Sequence, residues 1–268
     1  GDALGFLVEW PILSFTHCHF ARISDQGATW SGNWWTLDNP LKSITNITDN
    51  VAPSFELTLG NDKFAFRNQA GNYLSPNALL GDVRVIAKFH DNINTQDWNV
   101  DVDQIRYSLS PFSNPTLMLI DTLAHEFNHW NDTYFAGSYS LEILDALYSR
   151  DVSCYSEGNY DFRNFYHIVT NSDGNDTITG ADTQQFLRTA DFPNGDYIFR
   201  VTAIDPFGLS TTDSMVVTFA NPFTGISTEL DPEGVFVYPN PSASGRFFAH
   251  ADRSLNFEVC NGLGQVIQ

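Results

Sequence analysis

Phe192-Pro193-Asn194-Gly195-Asp196-Tyr197-Ile198-Phe199-Arg200-Val201-Thr202-Ala203-Ile204-Asp205-Pro206-Phe207-Gly208-Leu209-Ser210 is the stretch that decides the fold. From Tyr197 to Ile204 apolar residues recur at every second position, the period of a strand with one buried face. Asp205-Pro206-Phe207-Gly208 carries turn residues, and Met215 to Phe219 reads as the returning strand. Similar β-rich runs occur at Ser54–Leu59, Lys63–Arg67, Asp82–Phe89, Gln104–Leu109 and Phe165–Thr170, with Gly, Asn, Asp and Pro between them. So many short strands with turn chemistry in the gaps predict an all-β fold built as a sandwich.

The 192–210 stretch resembles the F–G hairpin of immunoglobulin-like and fibronectin-like domains. That resemblance makes Tyr197 the corner tyrosine and Asp205 to Gly208 the hairpin turn. The domain is expected over 46–221, opening at the Asp49-Asn50-Val51-Ala52-Pro53 boundary. The residues between its early strands and the hairpin are too many for a minimal immunoglobulin domain, so the sandwich carries an insertion. Within it, Leu117–Trp130 and Leu141–Tyr148 are read as helices, with a strand reading close behind.

Composition narrows the functional classes. The 268 residues suffice for two domains, and 42% hydrophobic content is that of a globular chain. Thirteen basic residues face 32 acidic ones, a formal net charge of −19, which disfavours nucleic acid and anionic lipid surfaces as partners. Such a balance suits a solvated extracellular protein, or Ca²⁺ sites built from carboxylates. Cys18, Cys154 and Cys260 stand far apart and support neither a disulfide framework nor a zinc cluster. Apolar runs are too short for a membrane-spanning helix, and the start has no signal-peptide pattern.

Near the start, Thr16-His17-Cys18-His19-Phe20 lies in an alternating run from Phe15 to Ile23. In a strand, residues i and i+2 share a face, so His17 and His19 project together about 7 Å apart. Such a pair can place a zinc ligand beside a group that moves a proton or stabilises an oxyanion. With Gly1-Asp2-Ala3-Leu4-Gly5 before it and Asp38-Asn39-Pro40-Leu41 after it, residues 1–45 resemble the end of a lysostaphin/LytM-type zinc endopeptidase domain. The resemblance implies that His19 ligates zinc and that His17 is the catalytic histidine beside the attacked water. Cys18 stands where that family has Leu, and the family's His-x-x-x-Asp ligands are not within this sequence, so the fragment itself is expected to be inert. The substrate the resemblance implies for the parent is a peptide or peptidoglycan.

A rival zinc motif lies at His125-Glu126-Phe127-Asn128-His129, the zincin pattern His-Glu-x-x-His. On a helix both imidazoles would share a face, with Glu126 placed to deprotonate a zinc-bound water. The expected third ligand does not follow, since Asp132 and Phe135 stand where Gly and His would be. The pair therefore ranks below a plain reading as surface or edge histidines.

A third candidate is Asn171 to Asp182, which resembles an EF-hand or dockerin calcium loop. Aligning Ile178 to the central apolar position puts Asn171, Asp173, Asn175, Thr179 and Asp182 at Ca²⁺ ligand positions. Asp176 replaces the usual Gly, and an ordinary acidic hairpin loop is the stronger reading.

After a 222–234 linker, residues 235–268 contain Val237-Tyr238-Pro239-Asn240-Pro241, a Ser242-Ala243-Ser244-Gly245 turn, and Asn261-Gly262-Leu263-Gly264-Gln265-Val266-Ile267. These resemble the opening half of a type A sorting domain of the type IX secretion system, found in Bacteroidetes-like bacteria. The resemblance implies type IX secretion machinery as a partner and an address that is secreted or on the outer-membrane cell surface. Because the chain begins and stops in mid-pattern, it is expected to be a piece of a longer protein. The whole is expected to be the C-terminal fragment of an exported zinc metalloendopeptidase. A non-catalytic surface binding or spacer protein with a calcium-binding sandwich is the alternative, and a zincin using His125, Glu126 and His129 the second alternative.

Overall fold

The computed structural model describes residues 22–23, 37–44, 48–94, 99–128, 142–159, 162–174, 178–222, 235–238 and 248–251. In chain order the strands are β1 (Arg22–Ile23), β2 (Leu37–Asp38), β3 (Ser54–Glu56), β4 (Phe64–Asn68), β5 (Tyr73–Leu74), β6 (Asp82–His90), β7 (Gln104–Pro111) and β8 (Ile120–Glu126). One helix, α1 (Glu142–Leu147), precedes β9 (Glu157–Asn159), β10 (Phe162–Asn164), β11 (Tyr166–Ile168), β12 (Leu187–Arg188), β13 (Gly195–Ile204) and β14 (Ser210–Phe219). Two further strands, β15 (Val235–Tyr238) and β16 (Phe248–Ala251), pair with each other. The fold is all-β.

Two sheets form the sandwich. One has the order β14-β13-β7-β8, entirely antiparallel. The other is centred on β6, with β3 and β4 in succession along one edge and β11 and β12 along the opposite edge. Period-two alternation sends Tyr197, Phe199, Val201 and Ala203 inward from β13. Val83, Val85, Ala87 and Phe89 do the same from β6. Phe64 and Phe199 meet edge-to-face across the sheets, with centroids 5.9 Å apart.

β6 also buries Ile86, which points to the opposite face. There Ala65, Ile168 and Cys154 form a smaller core beneath the segment around Cys154. A strand covered on both faces reads as a continuous apolar run, which is what Val85-Ile86-Ala87 is.

The hairpin that defined the fold closes as its residues require. The Tyr197 hydroxyl donates to the Pro193 carbonyl at 2.7 Å, the corner contact. Asp205 Oδ1 accepts from the Phe207 and Leu209 amides, and Gly208 takes φ +89°, a conformation that favours glycine.

The helical reading of Leu117–Trp130 is corrected: Ile120–Glu126 is strand β8, laid antiparallel on β7. The register shifts between Ile105 and Arg106, a bulge that turns both Ala124 and His125 into the interior. Ladder hydrogen bonds to β7 outweighed a local helical propensity that was never strong. Leu141–Tyr148, by contrast, does contain a helix, α1.

Candidate functional site

The structure distributes the candidate residues over several places. His17, His19, His129 and Asn175 lie outside the described residues. The described part of the segment following His19 pairs Arg22–Ile23 with Leu37–Asp38. The chain then docks on the sandwich: the Asn39 amide donates to the Asn128 carbonyl at 2.8 Å, and Lys42 pairs with the buried Asp103 at 2.8 Å.

His125, on the edge strand β8, is buried, and its Nε2 lies 3.2 Å from the Ile168 carbonyl. A carbonyl only accepts, so Nε2 carries the proton. Burial pushes His125 down to about 4, and the ring is neutral at physiological pH. Glu126, its neighbour on β8, instead accepts from Gln104 and meets Lys42. A helix would have placed His125 and residue 129 on one face; on β8 the bulge turns Ala124 and His125 inward, while Glu126 meets Lys42 and Gln104.

A second histidine, His167 on β11, is also wholly buried. Its Nε2 lies 2.8 Å from Asp101 Oδ1, its ring stacks on Phe89 at 4.0 Å, and the Tyr148 hydroxyl donates to the same carboxylate. Burial alone would raise Asp101, but His167 and Tyr148 hold its carboxyl below the ordinary value. Histidine, aspartate and tyrosine here form a network that ties the end of α1 to the sheet. His167 is wholly enclosed, whereas Tyr148 also lines the cleft beside α1 and the Asp101 side chain keeps some exposure.

In the 171–182 loop, Asn171 Oδ1 is buried without a hydrogen-bond partner, while other polar atoms of the described residues are engaged. Asn171 Nδ2 donates to the Ala146 carbonyl, and Asp182 Oδ2 accepts from the Thr179 amide and hydroxyl. Thr179 and Asp182 thereby form a capping box on the 3-10 turn Gly180–Gln184. Asp173 is exposed.

On the outer face of the β6 sheet a cleft is lined by Arg67, Arg84, Arg150, Asp145 and Asp151. Two of its three arginines are paired with its two aspartates, and the third meets a backbone carbonyl. Arg67 pairs with Asp151, Arg150 with Asp145, and Arg84 donates to the Thr183 carbonyl.

The remaining centre was not singled out from sequence. Asp49, Asp91 and Asp205 each place a carboxylate oxygen within 4.8 Å of the others. Topology brings them together: Asp49 lies in the segment leading to β3, Asp91 just beyond β6, and Asp205 just beyond β13. Asp49 Oδ1 accepts from the Val51 and Asn94 amides at 3.0 and 2.9 Å. Asp205 Oδ1 is held by the two turn amides. That leaves Asp49 Oδ2, Asp205 Oδ2 and both oxygens of Asp91 buried without a hydrogen-bond partner.

Burial, the largest effect, pushes Asp91 up to about 6, and the carboxylates of Asp205 and Asp49 add to it. The Asn92 amide pulls the other way without reaching hydrogen-bond geometry. Burial raises Asp205 as well, against the pull of the Leu209 and Phe207 amides. Clustered carboxylate oxygens are hard ligands, suited to calcium or magnesium rather than to zinc, which favours nitrogen and sulfur.

No protein-family model, no curated protein and no solved structure matches this chain.

Proposed function

We propose that residues 46–221 are a non-catalytic sandwich module of an exported surface protein. Its catalytic partner is the zinc-endopeptidase unit whose end residues 1–45 resemble. The observation that carries this reading is the placement of His125. Its ring is interior, neutral and hydrogen-bonded to a backbone carbonyl, on a strand that separates it from Glu126. A metal ligand needs its lone pair directed at an open position, and a hydrolase needs that position open to water. Peptide hydrolysis in the parent then belongs to His19 as zinc ligand and His17 beside it. The sandwich serves as a rigid spacer or binding platform, and the tail directs export through type IX secretion to the cell surface.

The parent protein, carrying the sequence upstream of Gly1, tests this reading with a peptide and a peptidoglycan substrate. Cleavage that is lost in His19→Ala and retained in His129→Ala supports the assignment. Cleavage that survives His19→Ala but fails in His129→Ala moves the chemistry into the sandwich and refutes it.

A further inference from the structure

We propose that Asp49, Asp91 and Asp205 bind one Ca²⁺, which fastens the incoming segment 48–53 to the end of the sandwich. The first observation is convergence: one oxygen from each carboxylate lies within 4.8 Å of the others. Ca²⁺ binds oxygen at about 2.3–2.6 Å, so two ligands of one ion are never more than about 5 Å apart. Magnesium holds its ligands at about 2.0–2.1 Å, a tighter sphere.

The second observation is independent of the clustering. Asp91 is 0% exposed, and neither of its carboxylate oxygens has a hydrogen-bond partner. Buried polar groups are almost always satisfied, and a wholly enclosed carboxylate facing two others calls for a cation. Asp205, at 1% exposed, directs its one free oxygen to the same place. Both Asp49 and Asp205 fix their other oxygen on backbone amides, which orients the free one. Ca²⁺ takes six to eight oxygens, and the four unpartnered carboxylate oxygens of the three aspartates stand ready for part of that shell.

The location gives the ion its consequence. Asp49 belongs to the segment linking the 3-10 turn Pro40–Ser43 to β3, whereas Asp91 and Asp205 sit at the ends of the central strands of the two sheets. An ion shared by all three joins both sheets to the chain arriving from residues 1–45. Affinity is expected in the extracellular range, a Kd of about 10⁻⁴–10⁻³ M.

The test uses the full chain, calcium-stripped, with CaCl₂ or MgCl₂ added, followed by titration calorimetry and chemical unfolding. One Ca²⁺ per chain is expected, and at free Ca²⁺ about ten times Kd the unfolding constant should fall about tenfold. Asp91→Asn and Asp205→Asn should abolish both effects, while Asp173→Asn in the other acidic loop keeps them. Without calcium, Asp91→Asn should be at least as stable as the parent chain, because a buried charge has been removed; this separates lost binding from lost folding. No calcium effect overturns the proposal. So does an effect retained in Asp91→Asn, or one matched by Mg²⁺ at the same concentration.

Discussion

His167 Nε2 sits 2.8 Å from Asp101 Oδ1, with the imidazole wholly buried between the Phe89 ring and Tyr148. This pair joins β11 to the segment between β6 and β7. Removing one partner leaves the other without its counterpart in a poorly solvated place. His167→Ala is expected to cost about 1.5–3 kcal/mol in urea unfolding, the range for a hydrogen bond to a charged group. A loss below about 1 kcal/mol would show that the pair is not structural.

Tyr197→Phe isolates the corner contact. It keeps the ring stacked on Phe219 and deletes only the hydroxyl that donates to Pro193. The expected cost is about 1 kcal/mol, the net worth of one hydrogen bond. A neutral result would mean that the ring alone holds the hairpin.

Stability should fall on acidification, in two windows. His125 titrates near 6.5 when unfolded and is pushed down to about 4 when folded. Between those values the unfolded state binds the extra proton, so stability declines as pH drops from about 6.5 to about 4. The total is about 3 kcal/mol. The charges acting on His125 are His167, which lowers its pKa, and Asp182 and Asp101, which raise it. Asp101, with its folded pKa lowered, stabilises the fold above its unfolded value and loses that contribution as pH falls below about 4. Asp91 acts in the opposite sense between about 4 and 6 in calcium-free buffer, because its raised pKa favours the protonated folded state. Asp91→Asn should therefore steepen the acid loss. A slope unchanged by that substitution would contradict the raised pKa assigned to Asp91.

The hairpin from Gly195 to Phe219 was legible because its two-residue alternation and Asp-Pro-Phe-Gly turn agree with each other. Strand β8 was not. Leu117–Trp130 is apolar enough to support either period, and only the ladder to β7 decides between them. With the strand in place, the His-Glu-x-x-His pattern loses the helical geometry that gave it meaning. The three aspartates were hidden for another reason. Each reads alone as a turn residue, and Asp49 and Asp205 do form such turns. The signal lay in topology: the segment before β3, the end of β6 and the end of β13 meet at one end of the sandwich. Asp91, with no local partner to hold, was the residue to question.

Lys42 tests whether the 1–45 unit is fixed to the sandwich. It reaches Asp103, Glu126 and Asn128 together. Lys42→Met is expected to cost about 1–2 kcal/mol, as Asp103 loses a charged partner. It should also speed proteolysis near residues 40–48. Unchanged cleavage kinetics would show that the junction is held by Asn39 alone.

The most direct measurement is the zinc content of this chain after purification in zinc-supplemented buffer, read together with its hydrolysis of peptides. The account predicts far less than one zinc per chain, no peptide cleavage, and no change in either on His129→Ala. One tightly bound zinc per chain, lost on His129→Ala and kept on His19→Ala, would contradict it and place the active centre inside the sandwich.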